Sequence, residues 1–299
     1  MVIIRVIGGL GNQLYQYALY EKMKSLGKDV KLDITDYMSY AREPEKRALE
    51  LIYFEKLPYE VCSLKERYAL TDDNQAFFQK VRRKLFGKHR NIYVEKEDYN
   101  PEIFEWEDVY LDGFWNCEKY YEDRIPYLQE KIVFPKSSNP KNEETAAKML
   151  DENSVSIHIR RSDYLDECRK GRYSNICTDA YYESALSYVK EKLGEMQVYV
   201  FSDDIPYVTE KFKGKNYTIV DWNSEKDCFF DMMLMSKCAV NICANSTFSM
   251  WGARLNKRPD KIMIRPFKHD NTQDFSIEYM KNTWKNWVLI KEEGTIVHG

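Results

Sequence analysis

The chain is poor in glycine and proline, with 12 and 9 among its 299 residues. That argues against long disordered or low-complexity tracts. Its seven cysteines are odd in number, none sits in a CxxC pair, and no histidine is close enough to complete a ligand set. A disulfide framework or a zinc site is therefore not expected, and a reducing compartment fits best. No apolar run approaches the roughly 18 residues that mark a membrane span. Only four apolar residues precede Arg5, too few for the core of a signal peptide. A net charge of −3 makes nucleic acid an unexpected partner for the whole chain. The expected location is cytoplasmic, at most peripheral to the inner membrane.

What is present is α/β alternation in two series. "VIIRVIGG" reads as a buried strand entering a glycine turn, residues 12–26 as a helix stopped by Gly27, and "DVKLDI" as a second strand. From 35 to 135 the pattern is less legible: helical, Tyr-rich and heavily charged, with "VYLDGFW" as a strand. A second series starts at Ser154: strand "SVSIHI", helix "DAYYESALSYVKEKLG", then the strands "QVYVFSDD", "NYTIVDW", "AVNICAN" and "KIMIRP" with helices between. Polar 134–144 is the expected linker between domains 1–140 and 141–299. The expected fold is α/β, two Rossmann-like domains facing a central cleft, with ligands at the carboxyl ends of the strands.

Three clusters fall at such ends. "GGLGNQ" (8–13) opens a helix, so Gly9, Gly11, Asn12 and Gln13 are candidates to meet an anion at free N–H groups. Leu14 breaks the GxGxxG dinucleotide pattern, which counts against a nicotinamide enzyme, and a purely structural tight turn fits equally well. "HIRRSDY" puts His158 and Arg160 on one face of a strand, with Arg161 and Asp163 following. Guanidinium suits a bidentate grip on phosphate; an internal Arg–Asp pair is the competing reading. "CANSTFSMWGA" offers Asn245, Ser246, Thr247 and Phe248 between strand and helix, for phosphate or for plain N-capping. In "FSDD", Ser202 and Asp203 stand at a fourth strand end, where capping alone also explains them. Met232, Met233, Met235 and Met250 read as core. The basic run 80–90 reads as a solvated face, with contact to an anionic membrane as the alternative.

Together and in this order, "GGLGNQLYQYA", "HIRRSDY", "FSDD" and "NSTFSMWGA" resemble glycosyltransferase family 11, the bacterial-type α-1,2-fucosyltransferases. The "NSTFSMWGA" motif departs from the family's more usual SSFSWW, though Ser246, Thr247 and Trp251 keep the hydroxyls and an indole. The resemblance implies a GT-B fold and GDP-fucose as donor, bound by the C-terminal domain. It also implies a galactose-terminated acceptor in the N-terminal half and inverting transfer without a metal cofactor. On it, His158, Arg160 and Arg161 belong to the donor signature, and the turn with Asn12 faces the donor from the other domain. The sequence contains no Asp-x-Asp, so stabilising the departing diphosphate falls to fixed donors, Arg160 foremost with Arg161 in support. Asp163 is the first candidate base, with Asp166 and Glu167 as alternatives; orienting the arginines is its other possible role. A nucleotide-sugar binding protein or scaffold without turnover is the competing function. The sequence is silent on oligomeric state.

Overall fold

β1 (Val2–Arg5) is a short apolar strand, and such strands survive only where both faces are covered. The computed structural model describes residues 1–38, 48–96, 99–151 and 153–298. Its chain divides into two units, Met1–Lys131 and Ile132–Gly299.

In the first unit β1 leads into α1 (Leu10–Ser25), followed by β2 (Val30–Asp33), α2 (Thr35–Met38), α3 (Leu64–Thr71), α4 (Phe77–Phe86), β3 (Ile92–Val94), β4 (Val109–Asp112) and α5 (Ile125–Lys131). The four strands form a parallel sheet in the order β2-β1-β4-β3. α1 buries most of its surface, and its buried glutamines are spent internally: Gln16, for one, accepts from Ile7 N–H and donates to the Gly113 carbonyl. At the end of β2, fully buried Asp33 accepts hydrogen bonds from Arg67 Nε of α3 (2.8 Å), Tyr110 OH of β4 (2.6 Å) and Thr35 N–H (2.9 Å). Beyond the sheet the irregular region is packed by aromatic pairs, Tyr99–Tyr120 and Trp115–Tyr120 among them, at ring separations of 4.8 and 5.5 Å.

The second unit runs α6 (Pro140–Asp151), β5 (Ser154–Ile159), α7 (Glu167–Tyr173), α8 (Asp179–Leu193), β6 (Gln197–Ser202), α9 (Ile205–Lys211), β7 (Tyr217–Ile219), α10 (Phe229–Met235), β8 (Val240–Ile242), α11 (Thr247–Leu255), β9 (Ile262–Pro266), α12 (Ile277–Thr283), β10 (Trp287–Ile290) and β11 (Ile296–His298). The sheet order is β11-β10-β9-β8-β5-β6-β7, parallel throughout except for β11. The α/β class and the strands of the second series are as the sequence predicts. Of the expected linker 134–144, residues 134–139 lie outside any helix or strand, but Pro140 starts α6, with Asn139 Oδ1 accepting from Lys141 N–H, so the polar composition of the rest is that of a helix start. The series also continues past "KIMIRP", through Trp287 into β10. Met232, Met233, Met235 and Met250 are core as expected, and Gly252 explains how α11 approaches α10: a Cβ there would lie 2.8 Å from Met235 Cβ. No helix among the described residues is long and apolar enough to cross a membrane.

Candidate active site

β5 is buried along both faces. Val155, Ile157 and Ile159 join the apolar core, while Ser154, Ser156 and His158 point the other way. Those serines are matched: Ser154 Oγ donates to the Met149 carbonyl and Ser156 Oγ accepts from Asn241 Nδ2. His158 is different. Burial first, and then the charge of Arg160, push its pKa down to about 3, so the imidazole is neutral at physiological pH. Its buried Nδ1 has no hydrogen-bond partner among the described residues, and its ring lies 6.0 Å from that of Phe248.

Where β5 ends, the chain must turn with two arginines in sequence, and carboxylates from β6 set the turn. Asp203 accepts the backbone N–H groups of Arg161 (2.8 Å) and Ser162 (3.1 Å), and Ser162 Oγ returns a bond to the Asp203 carbonyl. Arg160 Nε donates to Asp163 Oδ1 (2.8 Å) and sits 3.2 Å from Asp203 Oδ2. Burial opposes the charge of Arg160, but these two carboxylates outweigh it and raise its pKa. Only Nε is used; neither terminal nitrogen makes a hydrogen bond among the described residues. The predicted Arg–Asp pair is therefore present, and it aims the guanidinium while leaving its fork open. The other oxygen of Asp163 accepts from Arg169 Nη1 (2.7 Å), so both oxygens of this carboxylate are engaged by arginines. Arg161 pairs with Asp204 (3.1 Å) and stacks on Tyr207, 4.1 Å from the ring centroid. Asp204 also caps α9, and Ser202 Oγ accepts from Asp204 N–H.

Asp203 thus organises the loop. Asp203→Ala is expected to leave two N–H groups without their acceptor, costing about 1–3 kcal/mol of stability and roughly 10–100-fold in turnover at this site through misplacement of Arg160. Steady-state kinetics beside thermal unfolding checks this; a fall in stability with unchanged kcat would remove the positioning role.

At the end of β8, Asn245 is a tie. Its Nδ2 donates to the carbonyls of Tyr173 (3.1 Å) and His269 (3.0 Å), Oδ1 accepts from the Cys177 thiol, and its own carbonyl accepts from Tyr164 OH. Predicted as ligand-binding, its side chain is instead consumed in joining three segments. Ser246 then occupies the N-cap position of α11 with no side-chain cap bond, contrary to the N-capping alternative. The first intrahelical bond comes from Met250 N–H, so the N–H groups of Thr247, Phe248 and Ser249 have no partner among the described residues. Half-buried Thr247 and Phe248 flank this helix end.

The "GGLGNQ" turn of the first unit contradicts part of its expectation. Gly8 takes φ +83°, a conformation that favours glycine. Glu50 Oε2 accepts from Leu10 N–H at 2.7 Å, so the protein's own carboxylate already holds the helix end that was expected to receive an anion. Gln13 is fully buried and saturated: Nε2 donates to the Gly8 and Ala48 carbonyls, and Oε1 accepts from Glu50 and Leu51 N–H. Gly9 and Gly11 shape the turn, with Gly11 itself buried. Asn12 alone keeps a side chain without a hydrogen bond to the described residues.

Sequence reasoning passed over Glu95, which follows β3. Its Oε2 accepts from Phe114 (2.7 Å) and Trp115 (2.8 Å) N–H, and the side chain packs so close that a Cβ on Gly113 would lie 2.4 Å from Glu95 Cβ. Burial pushes its pKa up to about 7, against those two bonds. An unfolded glutamate titrates near about 4.3, so between that pH and about 7 the folded state holds the additional proton. Stability is greatest below this window, falls as pH rises through it, and stays reduced above. Glu95→Gln keeps an acceptor but not the ionisation; in urea melts it is expected to flatten that slope and to exceed the parent by about 1–3 kcal/mol at alkaline pH.

The profile of Glycosyl transferase family 11 matches residues 62–291, more than half of the chain and all three strand-end clusters of the second unit. The chain is a member of glycosyltransferase family 11. Two Escherichia coli relatives agree with the family. An alpha-1,2-colitosyltransferase is 29% identical over 280 residues, covering 89% of this chain and 91% of its own. The O-antigen biosynthesis glycosyltransferase WbnK is 30% identical over 287 residues, covering 87% and 92%. A solved structure of POFUT1 in complex with GDP-fucose spans 88% of this chain and 97% of its own at 15% identity, with a TM-score of 0.40, too distant to argue from. In this family 11 glycosyltransferase the "GGLGNQ" turn precedes the matched residues, whereas Arg160, Asp203 and the start of α11 lie inside them.

Proposed function

We propose that this glycosyltransferase moves L-fucose from GDP-fucose to the 2-hydroxyl of a terminal galactoside, with inversion and without a divalent ion. The observation that carries the reading is Arg160: a permanently charged guanidinium at the carboxyl edge of the sheet, held by Asp163 and Asp203 through Nε, with neither terminal nitrogen hydrogen-bonded among the described residues. Loss of a nucleoside diphosphate from a sugar concentrates negative charge on the leaving oxygens, and fixed donors that meet this charge lower the barrier. The open N–H groups of α11 add a second set of donors at the neighbouring strand end. His158 contributes a neutral imidazole there, not a charge. The acceptor's proton needs a base; with Asp163 engaged by two arginines, Asp166 and Glu167 remain the nearby carboxylates for that role.

The name of the colitosyltransferase relative supports a second reading, in which the donor sugar is colitosyl. Both are tested by incubating the protein with each GDP-sugar and a β-galactoside, in chelator, and following GDP release and product linkage. Release from GDP-fucose in chelator is the expected result. A strict requirement for Mn²⁺ or Mg²⁺, or turnover of the colitosyl donor alone, would overturn the leading reading. Binding of GDP-fucose with no transfer to any galactoside would favour a binding protein.

A further inference from the structure

Helix α4 buries none of its residues. It is seated by one side only: Arg83 Nη1 donates to the carbonyls of Asp72 (3.1 Å) and Asn74 (2.7 Å), and Arg82 pairs with the Asp72 carboxylate. At about 100° per residue, Phe77, Phe78, Val81 and Leu85 share one arc directed away from Arg83. The apolar residues are strongly exposed, Phe77 by 73%, Phe78 by 83% and Leu85 by 70%. Phe86 closes the helix at 73% exposure. Lys80, Lys84, Lys88 and Arg90 are exposed as well and make no ion pair among the described residues. Residues 77–90 contain no acidic side chain, in a chain whose net charge is −3.

We propose that α4 docks this protein on an anionic lipid surface, phenylalanines inserted at the boundary of headgroups and acyl chains and lysines against the headgroups. Charge decides between possible occupants. A two-fold pairing of this face with a second copy would bring uncompensated lysines and Arg90 together; an anionic bilayer supplies the missing counter-charge and accepts the aromatic arc. The proposal goes beyond the donor and acceptor and is independent of them.

The test is sedimentation of the full chain with vesicles of phosphatidylcholine alone or mixed equally with phosphatidylglycerol. The parent is expected to partition onto the mixed vesicles and to be released by salt. Each exposed Lys or Arg contributes about fivefold to such partitioning, so K80Q/K84Q/K88Q/R90Q is expected to lose at least about 100-fold. F77S/F78S/L85S is expected to lose at least about 10-fold. Because all seven side chains are exposed, both variants should keep the parent's circular dichroism and its transfer to a water-soluble acceptor. Vesicle binding unchanged in both variants, or no binding by the parent, would overturn the proposal. So would a concentration-dependent oligomer that F77S/F78S/L85S abolishes without any vesicle binding, since α4 would then be an interface between copies.

Discussion

Arg160→Ala is expected to lower glycosyl transfer by about 10²–10³-fold, equivalent to roughly 3–4 kcal/mol of barrier, the usual cost of losing one fixed donor to developing negative charge. The fold should tolerate the change. Asp163 and Asp203 are both partly exposed, and Asp163 keeps Arg169 while Asp203 keeps two backbone N–H groups, so thermal stability should move by no more than about 1 kcal/mol. Arg160→Lys separates charge from geometry. A lysine ammonium retains the charge but cannot bond Asp163 through one nitrogen while presenting a planar fork with two others. It should recover GDP binding in part and transfer hardly at all. Single-turnover assays beside GDP titration distinguish these outcomes; a lysine variant with near-parental turnover would show that charge alone suffices.

The second large effect lies far from this loop in sequence. Asp33→Ala is expected to destabilise the first unit by about 3–5 kcal/mol, because Arg67 and Tyr110 lose the buried carboxylate they share and Thr35 N–H loses its acceptor. Burial by itself would raise the pKa of Asp33, but the bonds from Tyr110 and Thr35 and the charge of Arg67 bring it below the ordinary aspartate value. A depressed carboxylate contributes stability that is complete above its unfolded pKa and is lost as pH falls through the folded one. Acid unfolding of the parent should therefore show this contribution disappearing at low pH, and Asp33→Ala should lack it. Denaturant melts at neutral and acidic pH check both statements. Equal stability of parent and variant at neutral pH would show that the pair Arg67 already makes with Asp73, at 2.7 Å, is enough to hold its charge.

The second unit was readable because its signals are local. "DAYYESALSYVKEKLG" carries its own Thr178 cap and ends at Gly194 with φ +73°, so α8 could be bounded almost to the residue. The strand pattern of "SVSIHI" likewise exposed where the chain must turn. Reading 35–135 caught only its helical character and the strand in "VYLDGFW", which is β4, and for the opposite reason the rest stayed unread. Its short 3₁₀ turns and the three-residue edge strand β3 have no periodicity, and what packs them is aromatic contact between residues distant in sequence. Residues 39–47 of that region lie outside the described residues. The site was half-readable in the same sense. Arg160 and Asp203 show themselves by type and position. That Glu50 would hold the α1 N-terminus across 40 residues, or that Gln13 and Asn245 would be exhausted by backbone groups, follows only from tertiary geometry. Glu95 gives no sequence signal at all, since its perturbation comes from burial against the 113–115 turn.

Asn245 also bears on the order in which the protein acquires its shape. During synthesis Arg160 emerges some 85 residues before Asn245, which ties the Tyr173 segment, and more than a hundred before His269, the other carbonyl that Asn245 binds. Until those late residues arrive, Asp203, Asp204 and Arg169 brace the arginine loop, but the Tyr164 hydroxyl and the Tyr173 carbonyl lack the partner that Asn245 provides. A ribosome-bound chain halted ahead of His269 would thus display the arginine loop without its tie, a state in which proteolysis between α7 and α8 should be fast and should slow once the tie is closed.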